Sequence, residues 1–207
     1  MLRPEPKGSK TEIALLEFIE KCGFNYEKER LKFPASIKIP FSSARKRMSM
    51  VLELEGGKRR LVIKGASEIV LGACNSYLSK AGSSPVPLDS ALRDKVEKAI
   101  ETMAGRALRT LVLAFKEITP REDLVTKDKK GVFDVEIHDL TLVAVLGIKD
   151  ILRQEVPRAI QLCRLAGIKV RMVTGDNKLT ARAIAKECGI IEPGNENSLV
   201  MEGSEFI

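Results

Sequence analysis

The stretch Val170-Arg171-Met172-Val173-Thr174-Gly175-Asp176-Asn177 carries the sharpest chemical content in this chain. A β-forming run ends in Thr-Gly, and a helical pattern begins straight after it. In open α/β sheets, ligands gather at the C-terminal ends of strands. Free N–H groups and the helix dipole make a helix start attractive to anions. The Thr174 hydroxyl can hold a phosphoryl oxygen in such a place. The same residues also suit a plain capped turn with Asp176 or Asn177 as the helix N-cap, and spacing alone does not choose between the two.

Three further groups could meet an anionic ligand. The cations Arg45-Lys46-Arg47 follow Phe41 closely. An aromatic ring beside cations can stack a nucleobase while the cations meet phosphates; a solvated basic loop above a core phenylalanine is the plain alternative. Lys64 stands at a strand end in Lys64-Gly65-Ala66-Ser67-Glu68, where the glycine allows close backbone approach. Arg109 enters a strand and can grip phosphate with two donors, though a surface ion pair is the commoner fate of an arginine. Asp150, after an apolar run, could shape a hinge or hold an arginine. His138 has no neighbour with which to make a catalytic pair. No Ser-His-Asp order, G-x-x-x-x-G-K-[ST] loop or EF-hand loop occurs. Cys22, Cys74, Cys163 and Cys188 lie far apart with no C-x-x-C pair, and His138 is the single histidine. The expectation is reduced thiols and no metal site built from side chains.

The elements that must position these residues can be read from period and punctuation. Ser9 to Cys22 reads as a helix with Ser9 as N-cap and Glu12 completing a capping-box pattern. Ile37 to Phe41 suits a short edge strand, since Pro40 is tolerated only at an edge or end. Met48–Glu55 and Lys58–Lys64 form β-like runs around Gly56-Gly57, a two-residue hairpin signal. With Lys58 facing Glu55, Met50, Leu52, Leu54, Leu61 and Ile63 share the core face. Lys64, Val62, Ser49 and Val51 share the other face, a register that fails if the hairpin slips by one residue. Ala66 to Leu78 reads as helical, residues 79–88 as a loop, and Asp89 caps a helix through about Met103. Arg109 to Ile118 reads as a strand, and residues 119–138 as a charged loop or excursion. Leu140 to Ile148 is a continuous apolar run. Gln154 to Ala166 is helical, with Pro157 in its first turn. Ile168 to Thr174 reads as a strand, followed by a helix from Lys178 to Cys188. Strand, helix, strand, helix with short turns predicts a right-handed parallel β/α unit. The expected fold is therefore an α+β domain with an antiparallel sheet and flanking helices over residues 1–139, then an incomplete α/β parallel segment over residues 140–207.

Composition sets outer limits. The 207 residues are 44% hydrophobic and 30% charged, a globular balance that excludes wholesale disorder. Seven Phe, two Tyr and no Trp leave an aliphatic core. The formal charge of +7 favours anionic partners without naming them. No stretch approaches the about 18 uninterrupted apolar residues of a membrane span. The N-terminal residues show no apolar region of a secretory signal.

In combination these segments resemble the cytosolic part of P-type ATPases, most of all the plasma-membrane-type calcium-transporting pumps. The matching stretches are Lys10 to Leu15, Phe41 to Met48, Lys64 to Glu68, Leu108 to Leu111, Gly147 to Asp150, Arg171 to Asn177, Thr180 to Ala185 and Glu187 to Ile190. They occur in family order over nearly the whole chain, and the ordered set is far more specific than any member. The resemblance implies a nucleotide-binding (N) domain over residues 1–139 and part of a haloacid-dehalogenase-like phosphorylation (P) domain over residues 140–207. It implies that Phe41 stacks on the adenine of ATP and that Glu12 contacts the adenine edge, in competition with the capping box. Lys46 and Lys64 would line the nucleotide pocket, and Arg109 would reach the phosphates. Thr174 and Gly175 would bind the transferred phosphoryl group, with Asp176 at the junction facing ATP and Mg²⁺. Asp150 would belong to the hinge motif, where Ile151-Leu152-Arg153 replaces the usual Pro-x-Arg.

The family's nucleophilic aspartate, in Asp-Lys-Thr-Gly-Thr, would precede this chain, and the Mg²⁺-binding Gly-Asp-Gly would follow it. The resemblance thus implies a catalytically incomplete piece that binds ATP without turnover. Its partners would be ATP and the remainder of the pump with its transmembrane domain, at the cytosolic face of a membrane, with Ca²⁺ as the transported ion. A free-standing nucleotide-binding regulatory module is the alternative. A basic nucleic-acid binder fits poorly, because acidic residues are interspersed and an aromatic platform is lacking.

Overall fold

A computed structural model describes residues 7–33, 35–119, 122, 124, 126–129, 131–195 and 198–206. A helix α1 (Lys10–Lys21) opens it, with the Ser9 side chain accepting from the Glu12 amide. A short helix α2 (Tyr26–Lys32) follows, capped by Asn25. Three antiparallel strands come next: β1 (Ala35–Ser42), β2 (Arg47–Glu53) and β3 (Arg59–Ala66). Then come helix α3 (Ser67–Gly72), strand β4 (Cys74–Tyr77), the short β5 (Val86–Pro87) and helix α4 (Ser90–Gly105). Strands β6 (Leu108–Ile118) and β7 (Leu140–Lys149) precede helices α5 (Val156–Leu165) and α6 (Lys178–Glu187).

The strands form one sheet in the order β1-β2-β3-β6-β7-β4-β5. Among the described residues β4 and β7 run parallel, and the other pairings are antiparallel. The core lies on the face covered by α3 and α4. There Val51, Leu61, Val70, Val112 and Leu140 are wholly buried, with Ile39, Ile63, Leu71 and Ala114 around them. The aliphatic core expected from the composition is present; Phe133 is the one phenylalanine in it.

Several expectations hold. Asp89 caps α4 by accepting from the Leu92 amide at 2.7 Å. Pro157 sits in the first turn of α5. The strand through Arg109 and Ile118 is β6, and β1 is an edge strand as Pro40 requires.

Others are corrected. The hairpin turn is longer than two residues. Leu54 N–H donates to the Lys58 carbonyl at 2.8 Å, closing a tight turn in which both Gly56 and Gly57 have positive φ. Met48 then pairs with Lys64 and Met50 with Val62, one residue away from the expected register. A one-residue slip turns a whole strand over. So Ser49 and Val51 face the core, while Met50 and Leu52 lie on the opposite face. The third strand keeps its expected sides: Leu61 and Ile63 are buried, and Lys64 with Val62 stands on the other face.

The helix expected over Ala66–Leu78 ends at Gly72. Its second half, Cys74–Tyr77, is drawn into the sheet by the apolar run of β7, with which it pairs in parallel. The Leu140–Ile148 run is likewise inside the same sheet, paired to β6 on one side and β4 on the other, so the sheet does not end at residue 139. Ile168–Thr174 makes no ladder pairing and its Val173 is exposed, so the expected parallel β/α unit is not formed. Both edges of β7 are already taken, and an isolated strand has no partner for its N–H and C=O groups. In the excursion 119–138, positions 120, 121, 123, 125 and 130 lie outside the described residues, but the remainder includes the fully buried Glu136.

Candidate functional site

Phe41 owes its position to a bulge. Ile39 pairs with Ser49 but Ser42 pairs with Arg47, so β1 carries one extra residue between them. In a regular strand, Phe41 would share the buried face of Ile39, two residues before it. The bulge reverses the alternation, and Phe41 is 63% exposed. Pro40, at the bulge, has no N–H to leave unpaired.

The turn after β1 divides the basic triplet. Arg45 and Arg47 are buried, at 5% and 8% exposure, and only Lys46 faces outward. Of the three cations only Lys46, the one expected to line the pocket, is left outward, and neither a fully solvated basic loop nor a core Phe41 is what forms. Arg45 Nη1 donates to both oxygens of Glu136, at 2.9 and 2.7 Å. Arg47 Nη1 donates to the Glu136 carbonyl at 2.9 Å. Burial lowers the Arg47 pKa, with Glu136 opposing that shift. Lys46 has a left-handed φ of 52° and lies 3.6 Å from Glu68 through its Nζ.

Lys64 rises from the non-core face of β3, and its Nζ donates to Glu12 Oε2 of α1 at 2.5 Å. The capping box is therefore half made: Ser9 caps the Glu12 amide, while the Glu12 carboxylate turns to Lys64. Gly65 is required by crowding. A Cβ there would meet the Lys46 carbonyl at 2.7 Å and the side chains of Arg47 and Val70 at 2.8 Å.

A second cluster forms at the start of β6. Arg109 pairs in register with Ile148 of β7, and its Nε donates to Asp176 Oδ1 at 2.7 Å. The Thr174 hydroxyl donates to Asp176 Oδ2 at 2.7 Å, and the Asp176 amide donates back to that hydroxyl at 3.1 Å. Burial pushes the Asp176 carboxyl up, but the bonds from Arg109 and Thr174 outweigh it and hold it below its ordinary value. The bond to Asp176 raises Arg109. Asn177, rather than Asp176, is the N-cap of α6, accepting from the Thr180 amide at 2.9 Å. Nothing lies within 4 Å of where a Gly175 Cβ would stand, so Gly175 leaves open space beside Thr174. Between the start of α1 and the ends of β6 and β7 is a cleft of about 280 Å³. Lys10, Thr11, Arg109, Lys149 and Asp150 line it, and Lys10 Nζ donates to Asp150 at 3.2 Å.

The structure thus places the expected residues in three groups: Glu12 with Lys64, Lys46 beside Glu68, and Arg109 and Thr174 each bonded to Asp176. The cleft's walls include Arg109 but not Phe41, Lys46 or Lys64. What the residue pattern missed is Glu136 and its partner Ser49. Nothing in the charged excursion distinguishes one buried glutamate from its solvated neighbours.

Residues 3–155 match the family model described as P-type ATPase, cytoplasmic domain N, and the chain belongs to that family. Relatives it resembles are calcium-transporting ATPases, several of them named as plasma-membrane-type. It is 43% identical over 199 residues to calcium-transporting ATPase 10, plasma membrane-type, of Oryza sativa subsp. japonica, covering 96% of this chain and 18% of the relative. It is 44% identical over 207 residues to plasma membrane calcium-transporting ATPase 4 of Bos taurus, covering 98% and 17%. It is 43% identical over 199 residues to calcium-transporting ATPase PAT1 of Dictyostelium discoideum, covering 96% and 17%. The chain spans under a fifth of the length of these relatives. No helix among the described residues is long and apolar enough to cross a membrane.

Proposed function

We propose that this chain is the ATP-binding part of a P-type calcium-transporting ATPase, holding the nucleotide at the cytosolic face of a membrane-embedded pump. The observation that carries this reading is Phe41, a large aromatic ring turned to solvent by a bulge, at the same end of the β1–β2 pair as the exposed Lys46. In the binding mode we propose, adenine stacks on Phe41 and Glu12 meets the adenine edge. Lys46 and Lys64 then attract the triphosphate, which reaches Arg109. Each of these cations is held in the free chain by one carboxylate (Glu68, Glu12 and Asp176). A triphosphate can exchange with each of those partners.

Thr174, Gly175 and Asp176 are proposed to receive the transferred phosphoryl group. Mg²⁺ would arrive on the ATP phosphates, neutralising charge on the transferred group. Asp176 can face it only when the contacts from Arg109 and Thr174 open. The division between nucleotide-binding and phosphorylation segments is proposed to fall after Lys149, where the last strand of the sheet ends, rather than at residue 139. The pump's other parts are the proposed partners, with Ca²⁺ as its cargo.

These 207 residues contain no Asp-Lys-Thr-Gly-Thr, so the chain as it stands is proposed to bind ATP without forming an aspartyl phosphate. Calorimetric titration of ATP into the chain and into Phe41→Ala tests the reading. Loss of one base–aromatic stack weakens binding by about 1–3 kcal/mol; unchanged affinity removes Phe41 from the site. Phosphate release from Mg²⁺-ATP should not exceed that of Lys64→Ala, and turnover above that control refutes an ATP-binding piece without catalysis.

A further inference from the structure

We propose that Glu136, remote from the ligand itself, is the positioning residue of the ATP site, an inference that rests on the reading above. Glu136 is wholly buried and carries a negative charge, so its lone pairs must be satisfied from within. Three donors make four hydrogen bonds to its carboxylate. They are Arg45 Nη1 on both oxygens, Ser49 Oγ on Oε1 at 2.5 Å and the Phe133 amide on Oε2 at 3.2 Å. Its carbonyl accepts from Arg47.

The same arginines continue toward the site. Arg45 Nη2 donates to the Pro40 carbonyl and, at 3.2 Å, to the Arg47 carbonyl. The Pro40 carbonyl belongs to the bulge that turns Phe41 outward. Lys46 sits between the two pinned arginines. Its amide donates to the Ser42 carbonyl at 2.8 Å, and its carbonyl accepts from the Ala66 amide at 3.0 Å. That last bond, with the close packing of Gly65, joins the turn to the residues straight after Lys64. One buried carboxylate therefore fixes the backbone that presents Phe41, Lys46 and Lys64. Buried polar networks of this kind specify a unique arrangement when every member is satisfied, and a site holds its geometry only as well as its supporting shell does.

Calorimetric titration of ATP into the full chain and into Glu136→Gln tests this, together with thermal melting and the ¹H–¹³C ring resonances of Phe41. The amide keeps the side chain's shape and removes its charge. The expected result is a roughly tenfold rise in Kd, measured well below the melting temperature. A changed Phe41 ring resonance should already be present before ATP is added. A lowered melting temperature with unchanged Kd and ring resonance is the signature of a structural role alone and overturns the inference. Should Glu136→Gln fail to fold, Ser49→Ala is measured in its place. A Kd rise of about threefold then supports the inference, and an unchanged Kd overturns it. Phe41→Ala separates the two levels. If it leaves Kd unchanged, the ATP reading fails and takes this inference with it. If it weakens binding while the Glu136 and Ser49 variants do not, the positioning role alone fails.

Discussion

At the scale of single residues, the contact between Arg109 and Asp176 is the one whose chemistry can be titrated. Asp176 is depressed below its ordinary value in the folded chain because Arg109 and Thr174 stabilise the charged form more than burial disfavours it. Its contribution to stability is therefore complete above the unfolded carboxylate pKa of about 3.9 and is lost as pH falls through the lower folded value. The carboxyl-carbon NMR titration of Asp176 should have a midpoint below that figure, and Arg109→Ala should move it upward. A midpoint at or above the unfolded value would contradict the geometry. The candidate residues themselves were legible in the sequence because each stands in a short ordered motif. Which of them remained available was not. Arg45 and Arg47 look like Lys46 in the sequence, and only their bonds to the Glu136 carboxylate and carbonyl show that two of the three cations are used internally.

At the scale of elements, the most instructive difference is the second strand. The sequence shows two β runs around Gly56-Gly57, and both strands are there. Their register depended on the turn, and the turn uses Leu54 and Lys58 as its closing pair instead of Glu55 and Lys58. One residue of slip exchanged Ser49 and Val51 for Met50 and Leu52 in the core. Lys64 kept its side because β3 is also held by β6, with Lys64 opposite Leu113. On the same strand, crowding by the Lys46 carbonyl, Arg47 and Val70 makes Gly65 the sensitive point of the hairpin. Gly65→Ala should destabilise the chain by about 1–3 kcal/mol through overpacking, measured by urea unfolding, because the nearest of the new contacts is backbone. A cost near zero would show that Arg47 and Val70 yield freely. The strand Cys74–Tyr77 is hidden in the sequence for a related reason. Helical periodicity in a short apolar stretch cannot show that a distant strand, β7, will pair with its second half.

At the scale of the molecule, the seven-stranded sheet and the segment after it differ in how they are held. Residues 59–66 and 108–118 are paired on both sides, whereas 168–174 has no ladder partner. Amide hydrogen exchange should therefore be fast over 168–174 and slow in the two strands; equal protection would contradict the unpaired state. The α+β character of the first part could be read from hairpin and capping signals. The outcome at 168–174 could not, because a buried-strand pattern states what a segment can pair with and not whether a neighbour is present. The span between Arg45 and Glu136 sets a further condition, on biosynthesis. A chain growing from its N-terminus delivers Arg45 ninety-one positions before its buried counterion. Until residue 136 has left the ribosome, the first hairpin cannot enclose its guanidinium without stranding a charge, so the region around Phe41 must stay open to water while the middle of the chain is still being made.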